Sequence, residues 1–182
     1  MANDYRQMDL NNNTLLTKET AMLNQELSDK VHQAYVSAVL TALNKHFEFP
    51  VYNKKLYLET VPKYYNKYEN SSLNFVIYQT MTHNKFYGKI KYKVCSKPGY
   101  RKLYVTFYEP NYYSRKIIKK IAKKQRPGQT AFQYNIMPFF GYSVRGAYAD
   151  YHNYSLALTP YGYAVNLMFS AYDGHYLTIS LS

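Results

Sequence analysis

Two acid–histidine pairs with the same spacing lie in the C-terminal third of the chain. Asp150 precedes His152 by two positions, and Asp173 precedes His175 in the same way; both pairs fall in predicted turns. A metal-independent ribonuclease needs an acid and a base of histidine type beside a cation, which Arg145 would supply. The two aspartates and two histidines of these pairs are also of the residue types that bind a divalent metal ion. An ordinary turn explains both pairs as well, so we assign no catalytic residue and no metal, and His152 and His175 stay the two candidates.

A second set of residues is suited to binding phosphate. The run from Asn111 to Gly128, NYYSRKIIKKIAKKQRPG, predicts an amphipathic helix with Asn111 or Ser114 as its cap and Arg126-Pro127-Gly128 as its stop. At about 100° per residue its apolar side carries Tyr113, Ile117, Ile118, Ile121 and Ala122. Its other side carries Arg115, Lys116, Lys119, Lys120, Lys123 and Lys124, and Arg126 follows them. The helix therefore predicts a contact with a polyanion.

Two predicted strands precede this helix and alternate with period two. From Lys85 to Cys95 the apolar face is Phe86, Gly88, Ile90, Tyr92 and Val94, and the opposite face is Lys85, Tyr87, Lys89, Lys91 and Lys93. After the turn Lys97-Pro98-Gly99, the next strand places Leu103, Val105 and Phe107 inward and Lys102, Tyr104, Thr106 and Tyr108 outward. We therefore expect one surface of interleaved lysine and tyrosine, continued by the basic helix.

The charge of the chain supports this location. Residues 1–50 carry a net charge of −2, residues 51–128 carry +15 and residues 129–182 carry −1, within a total of +12. A charge confined to the middle of the chain is typical of a protein that meets phosphates or an acidic protein face. A solvated basic surface that serves solubility alone is the other explanation.

The composition excludes several classes of protein. The single cysteine, Cys95, excludes an intrachain disulfide and a four-cysteine zinc site. There is no phosphate-loop, dinucleotide-binding, His-Glu-x-x-His or Gly-x-Ser-x-Gly motif, and we expect no cofactor and no enzymatic activity of those kinds. The N-terminus lacks the pattern of a signal peptide and no segment has the roughly 20 apolar residues of a membrane span, so we expect a cytoplasmic protein without a membrane partner. The 24 tyrosines, with many lysines and asparagines, suggest an A/T-rich genome, as in a low-GC bacterium or its phages.

These patterns predict an α+β fold: an N-terminal helix packed on an antiparallel sheet, a basic helix after the third strand, and a C-terminal β-meander. Residues 1–16 are expected to be a flexible N-terminus, and residues 17–182 one domain, with a basic part at 17–128 and an aromatic part at 129–182. The helix from Ser28 to Phe47 repeats apolar residues at i, i+3 and i+4 and should stop before Pro50. A short strand is expected at Lys54–Thr60 and a turn or helical turn at Pro62–Tyr68. A further strand is expected at Leu73–Thr80.

The aromatic part is predicted to be all strand. After an irregular stretch, Thr130–Phe140, we expect strands at Tyr142–Tyr148, Tyr154–Thr159 and Tyr163–Tyr172. The last of these should form a hairpin with His175–Leu181 through Asp173-Gly174, a dipeptide that favours tight hairpin turns. The near absence of charge in this meander suggests a protein contact, such as a homodimer interface.

The segment from about Ser28 to Gln125 resembles the double-stranded-RNA-binding domain. The likeness lies in a helix, three antiparallel strands and a helix that opens with Ser114-Arg115-Lys116-Ile117-Ile118-Lys119. In that family the last helix begins with Lys-Lys-x-x-Lys and contacts phosphates across an RNA groove. The family's Gly-rich approach to this helix is replaced here by Tyr108-Glu109-Pro110-Asn111-Tyr112-Tyr113. The resemblance implies a phosphate-binding role for the cations of the helix.

Three functions fit the sequence. The first is a nucleic-acid-binding accessory protein of a low-GC bacterium, phage or plasmid, which contacts the backbone of RNA or DNA. The second is a phage-type inhibitor of a host nucleoprotein enzyme, such as an anti-CRISPR-like protein, whose partner is the host nucleoprotein complex. The third is the metal-independent ribonuclease. The sequence does not decide between RNA and DNA or between single and double strands, and it leaves sequence preference and oligomeric state open.

Overall fold

The computed structural model describes residues 2–67, 72–135, 144–170 and 174–181. The chain divides into two compact units, Met1–Ala38 and Val39–Ser182. The division lies inside the first helix, α1 (Ala2–Glu48), whereas the sequence analysis placed a boundary at residue 16. Residues 2–16 belong to this helix, and their expected flexibility stays a prediction.

Helix α1 confirms the predicted Ser28–Phe47 helix and ends two residues before Pro50, where continued helix is sterically disfavoured. In the first unit its apolar side chains are open to solvent: Met22 and Leu23 are 66% exposed, and Leu27 and Val31 are also exposed. In the second unit the same helix buries Val39 and Leu43 completely.

The first sheet has three antiparallel strands in the order β1-β3-β2. They are β1 (Lys55–Pro62), β2 (Gly88–Val94) and β3 (Tyr100–Phe107). These strands confirm three of the predicted ones, and Gly99, with φ 77°, makes the expected turn between β2 and β3. The predicted turn after Pro62 contains a short helix, α2 (Tyr64–Lys67); Tyr68 lies outside the described residues.

The predicted strand at Leu73–Thr80 is wrong, because these residues belong to α3 (Ser72–His83). Leu73 and Ile77, four residues apart, fit the period of a strand and that of a helix equally well. The structure buries Leu73, Ile77 and Met81 while Phe75 is 59% exposed, which is the helical period. Thr80 suits the helix as well, since its hydroxyl donates a hydrogen bond of 2.7 Å to the carbonyl four residues earlier.

The inner face of the first sheet is buried. Val105 and Phe107 of β3 are fully buried, and the Phe107 ring lies 4.9 Å from that of Phe86 and 5.6 Å from that of Phe47 in α1. Further buried side chains of these strands are Leu58, Val61, Ile90, Tyr92 and Leu103. The sheet thus has one apolar face and leaves its other face to charged residues.

The C-terminal part contains a helix that the sequence analysis did not predict. After α4 (Pro110–Lys124) and β4 (Ala131–Asn135) comes α5 (Val144–Leu158), followed by the 3-10 turn Thr159–Tyr161, β5 (Tyr163–Ser170) and β6 (Gly174–Leu181). The strands expected at Tyr142–Tyr148 and Tyr154–Thr159 are therefore wrong, apart from 142–143, which lie outside the described residues. Tyr154, Ala157 and Leu158 are buried at i, i+3 and i+4, the spacing of a helix face.

The second sheet joins the remaining strands in the order β4-β6-β5. The hairpin of β5 and β6 is confirmed by its antiparallel register, in which Ser170 pairs with Gly174; the predicted turn residue Asp173 lies outside the described residues. Strand β4 falls in the stretch expected to be irregular, of which 136–140 also lie outside the described residues. The sheet is not a meander, because β6 lies between β4 and β5.

A second core forms where α4, α5 and this sheet meet. Its buried members are Tyr87, Ile117, Ile121, Tyr154, Ala157, Leu158, Val165, Leu177 and Ile179. Tyr87, which was expected on the cationic face of β2, is thus a core residue that precedes the strand. The two basic elements, β2 and α4, are both fixed to this core.

Only part of the element order behind the resemblance to the double-stranded-RNA-binding domain is present. Strands β2 and β3 and helix α4 follow one another as that order requires, but α3 stands where the first of the three strands was expected. The resemblance itself stays a prediction.

Candidate nucleic-acid interface

The outer face of the first sheet carries lysine in every cross-strand row, and we call it the lysine face. Its rows follow from the strand register and each crosses β1, β3 and β2 in that order: Lys55, Thr106 and Lys89; Tyr57, Tyr104 and Lys91; Thr60, Lys102 and Lys93. The predicted outward positions of Lys89, Lys91, Lys93, Lys102 and Tyr104 are confirmed by this register and by their exposed or half-buried side chains.

Strand β1 completes the face in a way that the sequence analysis missed. The register shifts between Tyr57 and Glu59, so Leu58 has no partner in β3. This irregularity lets Leu58 and Val61 both point into the core while Thr60 pairs with Lys102. Lys55 and Tyr57 thereby join the lysine face; the predicted strand at Lys54–Thr60 was the only sequence feature that pointed to them.

Positive charge is concentrated enough on this face to lower the pKa of one of its lysines, Lys93. The pKa of Lys93 is lowered, first because its ammonium group is within hydrogen-bonding reach of Lys55, and further because the charges of Lys55 and Lys91 repel it. Like charges in contact disfavour the protonated form, and an anion placed between them would relieve that repulsion. The lysine face is therefore suited to an anionic ligand.

Two predicted binding residues lie elsewhere. Lys85 is exposed but precedes β2 in a left-handed conformation with φ 59°, so it does not belong to the alternating strand. Tyr108 follows β3 and stacks on Tyr113 of α4, with ring centroids 4.4 Å apart. Burial, together with the charge of Asp150, raises the pKa of Tyr108 to about 12. Tyr108 is a packing residue of the second core rather than a member of the lysine face.

Helix α4 is amphipathic as predicted, with Ile117 and Ile121 buried. Its cap is Glu109, whose carboxylate accepts hydrogen bonds from the backbone N–H groups of Asn111 and Tyr112, so the predicted caps Asn111 and Ser114 are wrong. Ala122 is exposed instead of buried. The predicted cations are all exposed on the opposite side and at the end of the helix: Arg115, Lys116, Lys119, Lys120, Lys123, Lys124 and Arg126.

The first turns of α4 border a shallow groove of about 500 Å³. Arg115, Lys116 and Lys119 line it together with Glu109, Asn111 and Tyr112. The groove therefore presents three cations of the helix on one side, with an exposed tyrosine ring beside them.

The carboxyl of Asp150 in α5 is within electrostatic range of both cationic surfaces. Burial raises the pKa of this carboxyl to about 6, and the charges of Lys120 and Lys89 oppose that rise. Lys120 belongs to α4 and Lys89 to the lysine face, so both ammonium groups lie close enough to act on one carboxyl. One lysine of each cationic surface thus lies within electrostatic range of Asp150.

The edge of β2 is held against α5 by an amide. The side chain of Asn153 accepts a hydrogen bond from Gly88 N at 2.9 Å and donates one to Gly88 O at 3.0 Å. The Tyr78 hydroxyl of α3 accepts a third bond, from Ile90 N at 3.1 Å. These contacts satisfy backbone groups that β3 does not reach, and they fix the lysine face relative to the helix that carries Asp150.

Asp150 makes stability depend on pH. Its folded pKa of about 6 exceeds the ordinary value of 3.8, so the folded protein prefers the protonated carboxyl. Its contribution to stability is therefore fully present below pH 3.8 and is lost as the pH rises to about 6. The difference between these two pKa values corresponds to about 3 kcal/mol, which partial exposure of the carboxyl reduces. We expect Asp150→Asn to raise the free energy of unfolding by about 1–2 kcal/mol above pH 6.

Urea unfolding between pH 4 and pH 7.5 measures this effect. The parent protein should lose stability relative to Asp150→Asn as the pH rises from 4 through about 6, and the two curves should become parallel towards pH 7.5. Asp29→Asn, which removes an exposed carboxylate from α1, is the matched control. Equal pH dependence of parent and Asp150→Asn would contradict the prediction.

The candidate histidines do not sit in turns. His152 lies in α5 and is 3% exposed; its Nε2 donates to the Phe86 carbonyl at 2.9 Å and its Nδ1 accepts from the Thr82 hydroxyl. Burial lowers the pKa of His152 to about 4, although the bond to Phe86 opposes this, so the ring is neutral at pH 7. Both nitrogens serve to join α5 to α3 and to the start of β2. His175 lies in β6 and Arg145 in α5, and their side chains are outside the described residues.

Another cavity, of about 600 Å³, lies between α3 and α5. Its walls are mainly aromatic, with Phe75, Tyr78, Tyr148 and Tyr151 among them, and its described lining contains no lysine or arginine. It is thus distinct from the cationic surfaces. Within the described ranges, no three His, Cys, Asp or Glu side chains cluster as a metal site would require.

Comparison with protein-family models, with curated proteins and with solved structures finds no match for this chain. Among the helices that the structure describes, none has both the length and the apolar character needed to cross a membrane.

Proposed function

We propose that this protein binds the sugar-phosphate backbone of RNA or DNA through a composite surface made of the lysine face and the exposed side of α4. The observation that carries the proposal is the position of Asp150, on whose carboxyl Lys89 of the lysine face and Lys120 of α4 both act. One lysine of each basic element therefore lies within electrostatic range of the same carboxyl, which supports a composite surface. The concentration of the net charge in residues 51–128 agrees with such a surface.

Backbone binding of this kind has a thermodynamic consequence. Each phosphate that a lysine or arginine neutralises releases condensed counterions, so the affinity falls steeply with salt. If about six phosphates are neutralised, the affinity for RNA or DNA should fall about 10³-fold or more between 50 and 200 mM salt. We propose the role of an accessory protein that acts on nucleic acid, and the composition rich in tyrosine, lysine and asparagine supports a low-GC bacterium, phage or plasmid as its source.

Fluorescence anisotropy with labelled RNA and DNA, in single- and double-stranded form, tests the proposal over a salt series. Binding at low salt with a steep, linear dependence of log K on log salt is the expected result. Absence of binding to all four probes at 50 mM salt would overturn it.

A second candidate function is inhibition of a host nucleoprotein enzyme by protein–protein contact. The observation in its favour is the row of exposed apolar side chains on α1, where Leu23, Leu27 and Val31 recur every four residues beside Met22. Contiguous exposed apolar side chains are typical of a surface that meets another protein. Retention of a partner complex after nuclease treatment, and its loss on Leu23→Glu/Leu27→Glu, would favour this function over the first.

A further inference from the structure

The middle row of the lysine face is aromatic. Tyr57 and Tyr104 pair across β1 and β3, with ring centroids 5.9 Å apart and planes at 68°. Tyr57 is 45% exposed and Tyr104 half-buried. The rows on either side contain Lys55 and Lys89 on one side and Lys102 and Lys93 on the other. Two rings thus stand at the centre of a positively charged sheet surface.

These rings are held in place by their neighbours. The Tyr57 hydroxyl is hydrogen bonded to Thr60 Oγ1 at 2.9 Å, within the same strand. The edge of one ring meets the face of the other, a favoured arrangement of aromatic pairs. Lys93 Nζ lies 5.9 Å from the centroid of the Tyr104 ring. A ring that is already ordered loses little conformational entropy when a ligand stacks on it.

The spacing of the rows fits a backbone that runs beside the rings. Successive outward residues of a strand are about 7 Å apart, and neighbouring strands are about 5 Å apart. Lysines of the two neighbouring rows therefore lie about 7 Å along the strands from the rings, one row on each side. Proteins that bind single strands combine such a positive track with aromatic platforms, because every base has a face that can stack.

A duplex makes poor use of this arrangement. In a double helix the face of every internal base is already stacked on its neighbours, so only the phosphates are available to a flat surface. The lysines would be satisfied, but Tyr57 and Tyr104 would contribute nothing specific. An unpaired segment offers phosphates and free base faces together.

We propose that the lysine face takes single-stranded nucleic acid, with an unpaired base stacked on the Tyr57–Tyr104 pair and the adjacent phosphates on Lys55, Lys91 and Lys93. This rests on the proposed function and specifies its substrate class. A stacked base contributes an amount that corresponds to about a 5- to 100-fold gain in affinity. The lysine face therefore distinguishes an unpaired segment from a duplex of the same length.

The test compares four 20-nucleotide probes at one salt concentration: a single strand, its duplex, and the single strand with one abasic site or with every nucleotide abasic. Abasic sites keep the phosphates and remove the bases. The parent protein should bind the single strand at least about 5-fold more tightly than the fully abasic strand and than the duplex. One abasic site should have little effect, because another base of the strand can stack in its place. The abasic probes need no protein variant, so this arm does not depend on any variant folding.

Variants of Tyr57 and Tyr104 test whether the preference for the intact single strand arises at this pair of rings. Tyr57→Ala/Tyr104→Ala should bind the intact strand about 5- to 100-fold more weakly, and abasic sites should no longer matter to it. Tyr57→Phe/Tyr104→Phe keeps both rings and should bind like the parent. Tyr161→Ala is the matched control, since this tyrosine is 62% exposed in the 3-10 turn and lies outside both the lysine face and α4. The slope of log K against log salt should be equal in all of them, because no lysine is changed.

The outcomes separate the two proposals. Equal binding of the intact and the fully abasic strand by the parent, or unchanged binding by the double alanine variant, overturns the single-strand inference and leaves backbone binding standing. The same conclusion follows if the affinity for the duplex equals or exceeds the affinity for the single strand. Failure to bind any probe at low salt overturns both.

Discussion

Reversing the charge of four lysines on α4, Lys116, Lys119, Lys123 and Lys124, is expected to weaken nucleic-acid binding at least about 100-fold without unfolding the protein. All four side chains are exposed, whereas the helix is fixed by Ile117 and Ile121 on its other side. Glutamate in their place removes up to four cations that would neutralise phosphates, and it adds repulsion. Lys120 is left unchanged because its charge acts on Asp150.

The matched control places the same change of charge elsewhere. Lys18, Lys30, Lys45 and Lys63 are exposed and lie outside α4 and the lysine face, so their reversal to glutamate lowers the net charge equally. Anisotropy titrations should then find a smaller loss of affinity and a salt slope close to that of the parent. In the α4 variant the slope should decrease by up to about 0.9 for each phosphate that the protein no longer neutralises. If both variants lose affinity equally, net charge and not the composite surface governs binding.

Gly88→Ala is expected to destabilise the protein by about 3 kcal/mol or more. A Cβ atom at this position would overlap the Thr106 carbonyl oxygen of the paired strand and lie 2.7 Å from Met81 Cε. The oxygen belongs to the backbone of β3, so it moves only if the strand pair separates. The same displacement would disturb both hydrogen bonds between Gly88 and Asn153. Urea unfolding, or a fall in Tm of about 6–12 °C, measures the effect.

Gly99→Ala is the control for this variant. Gly99 has φ 77°, and no atom lies within 4 Å of its Cβ position, so alanine there meets backbone strain but no neighbour. We expect a loss of about 1 kcal/mol. A Gly88→Ala protein as stable as Gly99→Ala would mean that β2 and β3 adapt to the added methyl group and that the close approach at Gly88 is unimportant.

Local patterns predicted the elements that display the cations. Alternation in β2 and β3 identified Lys89, Lys91, Lys93, Lys102 and Tyr104, because a strand sends successive side chains to opposite faces whatever it packs against. The helical period did the same for α4, whose buried isoleucines and exposed lysines follow directly from their spacing. Both patterns are repeated several times within one element, so they can be recognised from the sequence without knowledge of the fold.

Short apolar runs led to wrong predictions of strands where the structure has the helices α3 and α5. In the stretch from Leu73 to Thr80, residues four apart satisfy both periods, and only the exposure of Phe75 distinguishes a helix from a strand. In α5 the aromatic residues favoured strand, while the buried face is set by alanines and by Tyr154 and Leu158 against the second sheet. The secondary structure of both segments depends on the elements that they pack against, and the local sequence does not identify those elements.

Periodicity alone predicted the outward lysines of β2 and β3 and the cations of α4, since each pattern depends only on the geometry of its own element. It did not predict that Lys55 and Tyr57 of β1 share the lysine face. The fold, in contrast, brings one lysine of each surface within electrostatic range of Asp150. It also brings Asn153 against Gly88, from which it is 65 positions away along the chain. A single long-range contact leaves no periodicity in the sequence, so neither Asp150 nor Asn153 could be assigned its place before the fold was known.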